Sequence, residues 1–203
     1  KIIIYINVLK VILDNSRYIS NQNITVAIDC VIFGFDLKKL NLLLFKRRVS
    51  PFKGSWSLIG EVLENNVSLN QSATDILSKL TGLENIYLKQ LKTYGALNRD
   101  PQERVISIVY FSLIRVDKLS LKMVENYDAK WFAFNELPEL ILDHSQMVKD
   151  SISELRNIAK DQPLGFELLP KLFTLPQLQT LYECIYNTKF DSRNFRKKIL
   201  SLN

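Results

Sequence analysis

The chain has 203 residues, is 47% hydrophobic and 24% charged, and carries a formal charge of +6. That balance belongs to a globular protein of one large or two small domains and excludes a disordered or collagen-like chain. Two cysteines far apart (Cys30 and Cys184) and a single histidine, His144, exclude a disulfide framework, a cysteine zinc site and any multi-histidine metal site, and fit a reducing cytoplasm.

Lys1 to Leu13 (KIIIYINVLKVIL) is apolar but interrupted by Asn7 and Lys10, and it is too short to span a bilayer. No small-residue cleavage pattern follows, so it reads as an extension with no targeting role. Asn23 to Phe35 is rich in β-branched and aromatic residues and predicts a buried strand, with Cys30 in the core. Asp36 to Lys39 is a polar turn. Leu40 to Phe45 predicts a second strand, ending in Lys46-Arg47-Arg48. Pro51 to Ser55 is a loop and Trp56 to Ile59 a short strand. Ile59 to Leu83 then reads as a strand end, a polar loop and a helix from Ser68 to Leu80. Val67, Leu69, Ala73, Ile76, Leu77 and Leu80 give that helix one apolar face. Ser68 is its N-cap, and Gly82 supplies the left-handed position past its end.

Ile86 to Ala96 alternates as a strand, Asn98 to Arg104 (NRDPQER) turns about Pro101, and Val105 to Val116 is the strongest strand signal. Lys130 to Phe134 predicts another strand, followed by a polar bend from Asn135 to Pro138. His144 to Lys160 has helical spacing in Met147, Ile152, Leu155 and Ile158. Asp143-His144 has the look of a catalytic pair, but with no nucleophile or metal cluster nearby it reads as a helix N-terminus. Asp161 to Gly165 is the linker candidate. Beyond it the pattern holds helices only: Leu168 to Phe173, Pro176 to Tyr186 and Ser192 to Leu202, with Thr174 and Asp191 as N-caps of the second and third. Mixed elements followed by helices argue two domains, 22–160 and 164–203. Arg193, Arg196, Lys197 and Lys198 cluster near the C-terminal end, which favours a phosphate partner.

The stretch from Ile59 to Leu83 resembles the Nudix box of pyrophosphohydrolases, whose carboxylates hold magnesium on one helix face. Anchored on Gly82-Leu83, this chain puts Glu61 at the box's first Gly, Val67 at its first Glu, Asp75 at its Arg, Ile76 at the next Glu, and Lys79-Leu80 at the Glu pair. Leu77, Gly82 and Leu83 keep the scaffold, while the metal ligands are replaced. The expectation is a protein without catalytic residues, metal or cofactor. The alternative is a divergent Nudix pyrophosphohydrolase using Glu61, Glu64 and Asp75.

Three blocks extend the resemblance to Nudix-related transcriptional regulators of the NrtR type: AIDCVIFGF with LLLFKRR and GSWSLIG, then NRDPQERVISIVYF, then LLPKLFTLPQLQTLYECIY with FDSRNFRKKI. What this implies is an α+β fold, a Nudix-like α/β/α sandwich followed by a C-terminal winged helix-turn-helix. The family carries a β-hairpin wing after the third helix; this chain ends at Asn203, so the expectation is a winged helix truncated before its wing. Expected partners are operator DNA, a sugar or sugar-nucleotide effector and a second copy in a homodimer, with no membrane, in the cytoplasm. The resemblance looks closest to the branch answering to L-arabinose; other branches sense ADP-ribose.

Arg99, Glu103 and Arg104 are effector candidates in the turn bordering the old substrate cleft, where Glu103 could accept sugar hydroxyls. Their plainer reading is a surface ion pair. Trp56 and Lys46 join them because sugar sites pair an aromatic face with fixed polar groups; otherwise Trp56 is core and Lys46 solvated. For DNA, Arg193 and Asn194 are placed for base edges, Arg196, Lys197 and Lys198 for phosphates, and Thr174 stands at the start of the preceding helix. Phe195 and Ile199 should pack inward. A helical bundle serving only sensing or dimerisation is the third reading.

Overall fold

In chain order the elements are β1 (Thr25–Phe35), β2 (Leu40–Lys46), β3 (Trp56–Ser57), β4 (Ile59–Val62), α1 (Leu69–Thr81), β5 (Lys89–Tyr94), β6 (Val105–Arg115), β7 (Ala129–Ala133), α2 (His144–Asp161), α3 (Leu175–Tyr186) and α4 (Ser192–Leu200). They come from a computed structural model that describes residues 24–117, 124–161, 164 and 168–201. The predicted N-terminal extension and most of the predicted linker lie outside the described residues.

The strands form one seven-stranded sheet in the order β3-β2-β1-β6-β5, with β4 also on β1 and β7 also on β2. Its spine is the parallel pair β1–β6, in register from Thr25↔Val105 to Phe35↔Arg115. The other edge of β1 is shared: β4 takes its first half, Ala27↔Val62 to Cys30↔Ile59, and β2 its last residues, Phe33↔Leu42 to Phe35↔Leu40. A parallel pair at the centre of a sheet must be covered on both faces, which explains the near-continuous apolar run of β1. Alternation then divides the strand. Ile28, Cys30 and Ile32 enter one core with Ala73, Ile76 and Leu77 of α1. Val31, Phe33 and Phe35 enter the other with Met147, Val148, Ile152, Leu155 and Ala159 of α2. Cys30 is fully buried, as expected, and burial pushes its thiol far up.

The helix ends follow their local signals. The Ser68 side chain accepts from the Gln71 amide at 3.3 Å, and Gly82 takes φ 72. Thr174 and Gln177 form a reciprocal capping box on α3, and Asp191 accepts from the Asn194 amide on α4. Leu178, Leu181, Tyr182 and Ile185 of α3 and Phe195 of α4 share the core cluster of α2. Ile199 is half-buried against it.

Two predicted elements change. Leu168 to Phe173 is not a helix: a tight 3₁₀ turn at Leu168 gives way to bends. Pro170 has no amide to donate, and Leu168 and Leu169 are drawn into the core at 7% and 4% exposure. The strand predicted from Trp56 to Ile59 divides into β3 and β4 because the Leu58 amide leaves the ladder and donates to His144 Nδ1 at 3.0 Å.

Gly60 lies tight against β1. A Cβ there would stand 2.3 Å from Asp29 Oδ1 and 2.6 Å from the Ile28 carbonyl oxygen, a backbone atom that cannot yield. Gly60→Ala is expected to cost about 2 kcal/mol in urea unfolding. Gly95→Ala, whose nearest atoms would lie at 3.8 Å, should stay within about 0.5 kcal/mol of the parent.

Candidate functional site

α1 presents the positions where the box expects carboxylates. Lys79 Nζ is held by both oxygens of Glu61, at 3.0 and 2.7 Å. That ion pair, with Glu64 adding to it, raises the Lys79 pKa, so the ammonium stays charged. Ile76 is buried at 5% exposure, and Asp75 accepts a hydrogen bond from Gln71 at 2.8 Å. This donor set does not fit a divalent cation: an ammonium already neutralises Glu61, and the neighbouring box positions are apolar. Among the described residues no group of three or more His, Cys, Asp or Glu is placed to hold a metal ion.

The five residues proposed for effector contact divide into two groups. Lys46 and Trp56 are cross-strand partners on β2 and β3, with Lys46 Nζ 5.8 Å from the ring centroid. Trp56 is half-buried, packed edge-on against Phe132 at 4.8 Å. In the turn, Arg104 donates to the carbonyls of Gly95 and Ala96 at 2.8 and 3.0 Å, and Glu103 accepts from the Thr25 hydroxyl at 2.9 Å. Arg99 departs from the expectation of a surface pair. Its guanidinium is 3% exposed and donates twice to Asp143, at 3.0 and 2.8 Å. It therefore faces the start of α2, because burial of so strong a donor demands a carboxylate beside it.

Residues 140–144 bring the groups to one corner. The Ile141 amide donates to the Trp56 carbonyl at 3.2 Å, Asp143 holds Arg99, and His144 Nδ1 takes the Leu58 amide. His144 thus carries its proton on Nε2, which faces Asp29 Oδ1 at 3.8 Å. Asp29, buried in the middle of β1, accepts from the Ser107 hydroxyl at 2.5 Å. Asp29 and Ser107 were not among the candidate site residues, and Asp143 had been weighed only beside His144, as part of a helix N-terminus. The available signal was Asp29, the one charge inside a long apolar run. His144 is the helix N-terminal residue expected, and it is also a buried tether.

The second surface is α4. Arg193, Asn194, Arg196, Lys197 and Lys198 are all exposed, while Phe195 anchors the helix through an edge contact with Tyr182 at 5.7 Å. Arg193, Asn194, Arg196 and Lys197 line an open groove of about 750 Å³. Thr174 is exposed but occupied as the α3 cap. The turn between α3 and α4 is locked by Glu183, which accepts from Lys189, the Phe190 amide and Gln179 at 2.7, 3.0 and 2.9 Å. Those donors hold its carboxyl down to about 2, Lys189 contributing most.

A sheet carrying a box helix on one face, and a short helix-turn-helix packed beyond the other, defines a Nudix-fold protein with a winged-helix DNA-binding domain. The family model of the NrtR DNA-binding winged helix domain matches residues 165–203. The ADPR responsive transcriptional repressor NtrR of Acinetobacter baylyi is 29% identical over 179 residues, 86% of this chain and 72% of that protein. An ADP-ribose pyrophosphatase of Methanocaldococcus jannaschii is 31% identical over 140 residues, 68% of this chain and 78% of that protein. The crystal structure of Shewanella oneidensis NrtR superposes with a TM-score of 0.73 at 27% identity, covering 87% of this chain and 85% of that one. The same protein complexed with a 27mer DNA gives 0.72 at 26% identity, over 87% and 82%. Its Nudix domain complexed with ADP ribose gives 0.57 at 25% identity, over 66% and 90%. Residues 165–203 thus match the NrtR DNA-binding winged helix, and the chain as a whole is similar to Nudix-fold transcriptional regulators of the NrtR type. Among the described residues no helix is long and apolar enough to cross a membrane.

Burial lowers the His144 pKa below its usual value. The unfolded chain therefore takes up a proton near pH 6.5 that the folded chain takes only at lower pH. Stability is full above that pH and falls below it. His144 is the single histidine, so the decline from pH 7 to 5.5 is its own signature. Urea midpoints across that range should fall by the equivalent of about 1 kcal/mol, and His144→Gln should flatten the profile.

Proposed function

We propose that the chain is a repressor whose Nudix domain, residues 22–160, holds ADP-ribose or a close sugar nucleotide without hydrolysing it, and whose segment 164–203 binds operator DNA as a homodimer in the cytoplasm. The observation that carries the reading is Lys79 seated on Glu61 where the box would gather magnesium, in a chain that also exposes a basic helix. A fixed ammonium supplies charge to a diphosphate but cannot lower the pKa of a bound water as a metal does. Lys46 over Trp56 offers a cation beside an aromatic face, suited to a phosphate next to a ring. Glu103 and Arg104 border the same turn, and Arg99 acts through Asp143. L-arabinose, the effector expected from the sequence, has no support among the relatives. The Acinetobacter repressor, the archaeal pyrophosphatase and the Shewanella Nudix domain are each tied to ADP-ribose.

The second reading is a divergent pyrophosphohydrolase, favoured by the identity with the archaeal enzyme. Calorimetry with ADP-ribose and L-arabinose, run beside a magnesium-dependent phosphate-release assay, separates the two. ADP-ribose is expected to bind below millimolar concentration and L-arabinose not to. Metal-dependent turnover of about 1 per second or more would replace the regulator reading with the enzyme.

On DNA, Arg193→Ala should relax preference at one base position, a bidentate Arg–guanine contact contributing about 1–3 kcal/mol of discrimination. Lys198→Ala should weaken all sequences alike and reduce the salt slope by about 1. Binding assays over a salt series check both. Equal affinity of the parent for a selected and a random duplex would rule out sequence-specific control by this chain.

A further inference from the structure

We propose that α2 is the element through which effector and DNA sense one another, with Asp143 and Arg156 as positioning residues at its two ends. The inference rests on the reading of the chain as an effector-controlled DNA-binding protein.

The near end of α2 is fastened to the effector corner. Leu140 bridges to Trp56, and the Ile141 amide donates to the Trp56 carbonyl at 3.2 Å. Asp143 takes both Arg99 hydrogen bonds, and His144 takes the Leu58 amide at 3.0 Å. A ligand that displaces Trp56 or the turn carrying Arg99 therefore moves the first turn of α2. The helix cannot absorb such a shift by bending into space. Met147, Val148, Ile152 and Leu155 are buried in one cluster with Val31, Phe33 and Phe35 of β1, and close-packed interiors move between discrete arrangements rather than deforming smoothly. Along its length β5 braces it from the side, Tyr94 donating to Asp150 at 2.6 Å and Lys89 to Glu154 at 3.1 Å.

The far end is fastened to the DNA-binding helices. Arg156 Nε donates to the Ile185 carbonyl at 2.8 Å, and the Tyr186 hydroxyl donates to the Arg156 carbonyl at 2.9 Å. Ile185 lies in the last turn of α3, where carbonyls have no partner within the helix and a cation is favoured. Arg156 thus caps α3 from a different element. From there Glu183 and Gln179 grip Phe190 at the turn, and Tyr182 meets Phe195, so the position of α3 sets that of α4. Asp143 and Arg156 are separated by roughly 20 Å of helix, so the two fastenings do not touch. Arg156 has no contact with the proposed effector residues, which makes it the cleaner site for a test.

The experiment measures ADP-ribose affinity by calorimetry. It also measures the affinity for a duplex selected by the parent chain from a random library, with and without saturating ADP-ribose. The parent should show a change in duplex affinity of about tenfold on adding ADP-ribose. Arg156→Gln and the milder Tyr186→Phe should bind ADP-ribose within about twofold of the parent, while that change shrinks to about twofold or less. An undiminished change in both variants overturns the inference while leaving the proposed function standing. A parent that binds no ADP-ribose, or whose DNA affinity ignores it, overturns the proposed function. In that case amide hydrogen exchange without ligand decides on α2 alone. Asp143→Asn should speed exchange between Ile185 and Phe195 by about threefold or more, and unchanged rates there refute the link.

Discussion

Everything in this molecule is arranged around the parallel pairing of β1 with β6. Hydrogen bonding between the two strands runs the full length of β1, from Thr25 to Phe35, and leaves both faces of the sheet's centre in need of cover. α1 answers on one face and α2 on the other. Each covering helix is thereby committed to one function-bearing end. α1 must stand beside β4, where Glu61 lies, and α2 must begin where β3 and the 99–104 turn meet. Asp29 is the polar exception on the spine. Its carboxylate is tolerated because Ser107 donates to it, His144 faces it, and Gly60 leaves room for it.

What could be read from the chain was what is encoded locally. Ser68, Gly82, Thr174 and Asp191 each announce a helix end within four residues of the group they satisfy, and all four stand where expected. β1 and β6 were legible because two-sided burial demands unbroken apolar runs. The site was less legible, because its contacts are long-range. Arg99 meets Asp143 across 44 residues, Asp29 meets Ser107 across 78, and Leu58 meets His144 across 86. Periodicity carries no information about such pairs. The tethering of Leu58 also broke a predicted strand, and the burial of Leu168 and Leu169 beside Pro170 broke a predicted helix. In both places tertiary contacts outweighed local preference.

The C-terminal helices show why a change in pattern does not locate a change in core. From Leu168 onward the sequence was expected to hold helices only, yet Leu178, Leu181, Ile185 and Phe195 pack into the same cluster as Phe33 and Leu155. Burial across that seam is apolar and therefore non-directional. Directional information comes from the polar ties laid over it, Arg156 to the Ile185 carbonyl and Tyr186 to the Arg156 carbonyl. An apolar seam supplies cohesion, and a hydrogen bond at its edge supplies register. A helix placed on that register can change position only by exchanging one set of polar ties for another.

The box helix separates positions that hold the fold from positions that carry charge. Ala73, Ile76 and Leu77 hold α1 on the sheet by burial, so the fold depends on the apolar positions of the box and not on its carboxylates. The charged positions were then free to change, and the changes differ in kind. Lys79 on Glu61 is an exposed pair, with side chains 65% and 36% accessible, and contributes little to stability. Its effect is electrostatic, a cation tethered beside Glu61. Ile76 is different. It replaces a box glutamate but is buried in the core beneath α1, so restoring a carboxylate there would place a charge among Ile28, Cys30 and Leu77. Of the two substitutions, the exposed one could be reversed at little cost to the fold. The buried one is part of what holds the helix in place.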